Sequence, residues 1–97
     1  MGSFKLKARA KADLKDIANY TEKTWGRGQR NKYLRDFDSA FQKISENPDL
    51  GRLVSHVRPG YRVLAIGSHL IFYRLNEGRE VEIIRILHKR MDVSLHL

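Results

Sequence analysis

Three arginines, Arg62, Arg74 and Arg85, lie on successive stretches of alternating residues in the C-terminal half of the chain. A guanidinium is a planar fork that grips carboxylates and phosphates through paired hydrogen bonds. On neighbouring strands the three would form a cationic floor for a phosphate or an acidic peptide. The competing reading is that each bonds a main-chain carbonyl or a surface carboxylate, an arrangement close to neutral in energy. A second cluster, His88-Lys89-Arg90-Met91-Asp92, directly follows an apolar run, and four of its five side chains can carry charge. It reads either as a contact surface or as a solvated strand exit. His56 and His69 stand alone and are read as packing or hydrogen-bonding residues. The four histidines are far apart and none forms an i, i+4 pair, so no metal spacing is present. There is no glycine-rich phosphate loop, nucleophile elbow or paired-carboxylate motif. No catalytic residue, metal or cofactor is expected.

Elements that would position these residues follow from the hydrophobic period. Phe4-Lys5-Leu6-Lys7 alternates apolar and basic residues, as a strand with one buried face does. Ala10, Leu14, Ile17, Ala18, Thr21 and Trp25 then form one helical stripe, with Lys11, Lys15, Asn19 and Lys23 on other faces, and Gly26 stops the helix. Trp25-Gly26 reads as a structural helix end. A second helix from near Gln29 carries Tyr33, Phe37, Ala40, Phe41 and Ile44, widened by Leu34, and ends at Asn47-Pro48. So short a link makes the helices an antiparallel hairpin.

After Gly51 the period becomes two. Tyr61 to Ile66, His69 to Leu75 and Glu80 to His88 predict three strands. Gly67-Ser68 suits a type II′ turn, and Asn76-Glu77-Gly78-Arg79 a longer loop. The turn register puts Arg62, Leu64, Ile66, His69, Ile71 and Tyr73 on one face. Tyr61, Val63, Ala65, Leu70, Phe72 and Arg74 take the other. Simple alternation in the third strand places Val81, Ile83, Arg85 and Leu87 together, opposite Ile84, Ile86 and His88. Apolar residues on both of its faces predict a central strand or a second covering layer. The expected fold class is α+β, in the order β-α-α-β-β-β, with the helical hairpin packed on an antiparallel sheet. His88 to Leu97 is expected to be a short helix or a loose tail.

Ninety-seven residues make one domain, residues 1–97, with a thin core and no cysteine to staple it. Its longest aliphatic or aromatic runs, Val63–Ile66 and Leu70–Tyr73, are far short of the ~20 residues that span a bilayer, so no membrane partner is expected. Nineteen Lys and Arg against eleven Asp and Glu give a net charge of +8, which favours a polyanionic partner, either nucleic acid or an acidic protein segment.

The chain resembles the ParE toxins of type II toxin–antitoxin systems, within the wider ParE/RelE superfamily. The resemblance runs in order through Ala10-Lys11-Ala12-Asp13-Leu14-Lys15-Asp16-Ile17, Tyr20-Thr21 and Trp25-Gly26, then Asn47-Pro48-Asp49-Leu50-Gly51-Arg52 and Arg58-Pro59-Gly60-Tyr61-Arg62. It continues through Gly67-Ser68-His69-Leu70-Ile71-Phe72-Tyr73-Arg74 and Ile84-Arg85-Ile86-Leu87-His88-Lys89-Arg90-Met91-Asp92. Lys7 departs from it, standing where many relatives place a serine able to cap the first helix. The resemblance implies the same β-α-α-β-β-β fold and a cytoplasmic toxin that inhibits DNA gyrase by binding rather than by catalysis. It also implies neutralisation by a ParD-like antitoxin whose acidic C-terminal segment folds on contact. The two would form a hetero-oligomer, two of each or larger, in which the toxin makes no sequence-specific DNA contact itself.

Carried onto this chain, toxicity is expected at the C-terminal region, with His88, Lys89, Arg90, Met91, Asp92, His96 and Leu97 as gyrase-contact candidates. Antitoxin contact is expected at Tyr20, Leu34, Phe37 and Phe41, and at Arg58, Arg62, Tyr73, Arg74 and Arg85, although Phe37 and Phe41 also read as core. The alternative function is a RelE-like ribosome-dependent messenger-RNA endoribonuclease. There the three arginines would neutralise the phosphorane and His88 would serve as the acid. That mechanism lacks a clear base, and no tyrosine follows Tyr73. A member that only binds its antitoxin is the third possibility.

Overall fold

The computed structural model describes residues 3–97. Strand β1 (Phe4–Leu6) leads into helices α1 (Ala8–Trp25) and α2 (Arg27–Glu46). A 3-10 turn at Pro48–Leu50 precedes β2 (Arg52–Leu53), β3 (Arg62–Ile66), β4 (His69–Leu75) and β5 (Val81–His88), and a second 3-10 turn spans Val93–Leu95. The strands form one sheet in the order β1-β5-β4-β3-β2. This is the expected β-α-α-β-β-β arrangement with one short strand, β2, added. No helix among the described residues is long and apolar enough to cross a membrane.

Helix α2 begins two residues before Gln29, so the hairpin link shrinks to Gly26, which ends one helix and begins the next. Its φ of +93° is open only to glycine at low cost. Arg30 of α2 donates to Glu22 of α1 and ties the two helices near this corner. Lys7 occupies the N-cap of α1, and its side chain caps no amide.

Strand β5 is central. Strand β1 pairs with it in parallel, Phe4 opposite Val81 and Leu6 opposite Ile83, while β4 pairs antiparallel with its other edge, so the sheet is mixed and not wholly antiparallel as expected. That accounts for the apolar residues on both of its faces. The β3–β4 hairpin has the expected register, Ile66 opposite His69 and Arg62 opposite Tyr73. Gly67 has a φ of +53° and Ser68 does not share a positive φ, as a type II′ turn requires.

The alternation expected along β5 fails at one place. Phe72 faces Arg85 but Tyr73 faces Ile83, so Ile84 is an extra residue, a β-bulge. Parity reverses across it. Val81 and Ile83 therefore share the helix-covered face with Ile86, while Leu87 turns to the opposite face. The helices cover the face bearing Leu64, Ile66, Ile71 and Tyr73, which pack with Ile17, Phe37, Phe41 and Ile44. On the outer face Val63, Phe72 and Leu87 form a smaller cluster with Val54, covered by Val57 and Tyr61 from one loop and by Val93 and Leu97 from the C-terminal segment.

Candidate functional site

The three sheet arginines do not form a common floor. Arg62 lies on the face opposite Arg74, donating to the Gly51 carbonyl at 2.8 Å and reaching Asp49 at 3.4 Å. Arg74 gives its Nε to Glu82 at 2.8 Å. Glu82 sits on the central strand, with Lys5 of β1 at 3.7 Å on its other side. The hydrogen bond from Arg74 above all holds the Glu82 carboxyl below the usual carboxylate range. Arg85 is the most fully used. It makes a forked pair with Asp13 of α1, Nε to Oδ2 at 2.7 Å and Nη2 to Oδ1 at 2.9 Å, and donates Nη1 to the His96 carbonyl at 3.1 Å. Asp13 Oδ2 also accepts the Ile86 amide at 2.9 Å. Asp13 thus meets the edge of β5 just beyond the point where β1 stops pairing with it.

Arg62 and Arg85 therefore hold the fold together, which is the structural reading of both. Within the chain, carbonyls and carboxylates occupy the donors that an acidic partner would use. Arg58 is exposed, and its Nε and Nη2 both donate to the main-chain oxygen of Leu97. Arg74 is different. Among the described residues its two terminal nitrogens have no acceptor, and it lines an open cleft of about 380 Å3 with Lys7, Arg9, Tyr61 and His96. No acidic residue lines that cleft.

The C-terminal segment is neither a free tail nor a regular helix. Asp92 accepts the Ser94 amide at 3.0 Å and the Ser94 hydroxyl at 2.7 Å, which caps the Val93–Leu95 turn and lowers the Asp92 carboxyl below its ordinary value. Val93 and Leu97 point into the outer cluster, while Leu95, between them, is 79% exposed. His96 is fixed through its carbonyl, and Leu97 through its side chain and main-chain oxygen. Of the toxicity candidates, Lys89, Arg90 and Met91 stand on the surface. Asp92 is exposed yet serves the turn, and His96 and Leu97 are half-buried. Leu95 was not among the named candidates; it is the 3-10 turn at Val93–Leu95 that sends its side chain outward.

His88 is half-buried at the end of β5, its ring edge-on to His69 at 5.2 Å between centroids. The Arg90 amide donates to His88 Nδ1 at 3.1 Å, and the Tyr33 hydroxyl lies 2.7 Å from His69 Nδ1. Burial, with His88 beside it, pushes the His69 imidazole below its usual value. His88 is separated from Arg62 by the sheet register, so the acid and the three cations of a ribonuclease site are not assembled.

Among the antitoxin candidates, Tyr20 is 62% exposed and Leu34 is half-buried. Phe37, Phe41 and Tyr73 are core residues and present no surface. Tyr73 is also held by its hydrogen bonds. Its hydroxyl donates to the Pro48 carbonyl and accepts the Gly51 amide, each at 2.7 Å. Trp25, the last residue of the α1 stripe and expected to be a structural helix end, is 72% exposed. The single-glycine link sets the hairpin corner before the indole can reach the sheet.

Residues 4–93 match the sequence model of the family described as ParE toxin of type II toxin-antitoxin system, parDE. The chain is 44% identical over 97 residues to a Toxin ParE1 from Caulobacter vibrioides, covering all of this chain and 99% of that protein. It is 39% identical over 94 residues to a Toxin ParE1 from Mycobacterium tuberculosis, covering 97% and 96% of the two. A solved structure of the chromosomal ParDE system from P. aeruginosa shares the fold at a TM-score of 0.76 and 24% identity, over 91% of this chain and 96% of that one. The RelBE2 toxin–antitoxin complex of Mycobacterium tuberculosis shares it at 0.58 and 19%, over 91% and 98%.

Proposed function

Because the chain belongs to the ParE toxin family of type II toxin–antitoxin systems, we propose that it is a cytoplasmic toxin that inhibits DNA gyrase by binding. Its partner is a ParD-like antitoxin with an acidic C-terminal segment. The observation that carries this reading is the C-terminal surface. Lys89, Arg90, Met91 and Leu95 are presented outward by a segment pinned at Arg85, Arg58 and the outer cluster. Exposed Met and Leu beside cationic side chains suit the apolar centre and charged rim of a protein interface. Arg74, Lys7 and Arg9, in a cleft without carboxylates, suit the acidic antitoxin segment.

A ribonuclease would need base, acid and cations around one phosphate. The dispersal of Arg62, Arg85 and His88 weighs against that alternative. Supercoiling by purified gyrase is the direct test. The wild-type chain should inhibit it, and Met91→Ala with Leu95→Ala should weaken inhibition about ten-fold or more, at unchanged circular dichroism. Inhibition of translation with gyrase untouched would replace this reading with the ribonuclease.

A further inference from the structure

Only two aromatic side chains among the described residues are exposed, Trp25 and Tyr20, and both line the same cleft, of about 530 Å3. The cleft lies between the corner of the helical hairpin and the end of the sheet where the β3–β4 turn and the exit of β5 meet. Across it stand His69, His88 and Arg90, with Gln29 and Ser68 adding polar groups. None of its lining residues is acidic.

The imidazoles are held in place. The Arg90 amide occupies His88 Nδ1, and the Tyr33 hydroxyl occupies His69 Nδ1, so each ring keeps its Nε2 edge for another partner. Tyr33 is itself anchored, 3.1 Å from the Ile66 carbonyl and 3.2 Å from the Ser68 amide. The wall is therefore built rather than loose, while the indole and the phenol opposite lie open to water.

Planar rings offer a stacking surface for another planar ring, and imidazole and guanidinium groups without a nearby carboxylate offer a seat for an anion. A ligand that brings both features together is a nucleotide. The base faces of a duplex are stacked inside it, so only an unpaired strand can present one to Trp25. An acidic peptide would satisfy Arg90 but leave the indole uncovered. The net charge of +8 favours a polymer over a free nucleotide, through release of counterions.

We propose that this cleft binds a nucleotide of a single-stranded polynucleotide, with its base stacked on Trp25 beside Tyr20 and its phosphate held at Arg90 and the Nε2 edge of His88. DNA and RNA share this chemistry, and the arms of the experiment separate them. The cleft shares Arg90 with the C-terminal surface but includes neither Met91 nor Leu95, and the inference stands whether or not gyrase is the target.

Trp25 is the sole tryptophan, so its fluorescence reports on this cleft alone. Full-length protein is titrated with octathymidylate, octauridylate, a duplex of equal length and a glutamate octapeptide. Saturable quenching is expected with the single strands and should weaken as salt rises. The duplex and the peptide should bind at least about ten-fold more weakly. Whichever single strand binds more tightly names the polymer. Tyr20→Ala and Arg90→Ala, both at exposed positions, should each lower the affinity about ten-fold with circular dichroism unchanged. Trp25→Ala, followed by anisotropy of a labelled strand, should do the same. Equal binding of duplex or peptide, undiminished affinity of Trp25→Ala, or no quenching at millimolar strand would overturn the proposal.

Discussion

At the scale of single residues, the energetics centre on Asp13. Its carboxylate accepts two hydrogen bonds from Arg85 and one from the Ile86 amide, and the paired side chains are only 15% and 14% exposed. Removing one member of so enclosed a pair strands the other charge. Asp13→Ala should cost about 3–5 kcal/mol in urea unfolding, a large share of the ~5–15 kcal/mol that holds a domain together. Asp13→Asn keeps an acceptor and should cost less. The arginine was visible in the sequence, but its partner was not. They lie 72 positions apart, and no local period links a helix carboxylate to a strand arginine. His69 carries the pH dependence. It touches Tyr33, Phe37 and His88, and its folded pKa lies below the ordinary imidazole value because of burial and the neighbouring ring. The unfolded chain therefore takes up the proton first as pH falls. The stability that His69 contributes is complete above about pH 6.5 and is lost as pH drops through the folded pKa. Denaturant midpoints across that interval should decline more steeply for the wild type than for His69→Gln.

At the scale of elements, period and turn chemistry carried the reading well. The helical stripes, the proline stop at Asn47-Pro48 and the Gly67-Ser68 turn are all local signals, and each element built on them is present. Three features were not legible for a common reason, that each depends on what lies alongside in space. Strand β2 is two residues long and exists only by pairing with Arg62 and Val63. The bulge at Ile84 breaks an alternation that looks unbroken in sequence, and so reassigns Leu87 and Arg85. Trp25 continues the α1 stripe, yet the stripe outruns the sheet beneath it. The start of α1 is the converse case, a weakness plain in the sequence and present in the structure. Lys7 has the extended N-cap backbone, with φ −68° and ψ 159°, but no oxygen to offer the first turn. Lys7→Ser should therefore raise stability by about 1 kcal/mol in urea unfolding. Because Lys7 also lines the cleft beside Arg74, the same change should weaken binding of an acidic segment while strengthening the fold.

For the whole molecule, the question is how a chain this small carries both a surface for its target and a stable sheet. The helices cover one face of the sheet, and among the described residues the other has no second layer of regular structure. Its cluster of Val63, Phe72 and Leu87 depends on one loop and on the C-terminal segment. That segment thus does two things. Val93 and Leu97 shield the cluster, and Met91 and Leu95 face outward. Deleting residues 93–97 removes the shield and Leu95 at once, and also takes away the His96 acceptor of Arg85 and the Leu97 acceptor of Arg58. Losing two half-buried aliphatic side chains should cost about 2 kcal/mol, which in a domain of this size lowers Tm by roughly 8–16 °C. Loss of toxicity on truncation would then reflect unfolding as much as a missing contact. Leu95→Ala separates the effects, since an exposed side chain in no internal hydrogen bond or cluster should change stability by no more than about 0.5 kcal/mol. Thermal melts of the two variants, set beside the proposed inhibition of gyrase in a supercoiling assay, decide the matter. A truncated chain that melts with the wild type would show that the outer face needs no cover, and the shielding role of Val93 and Leu97 would fall.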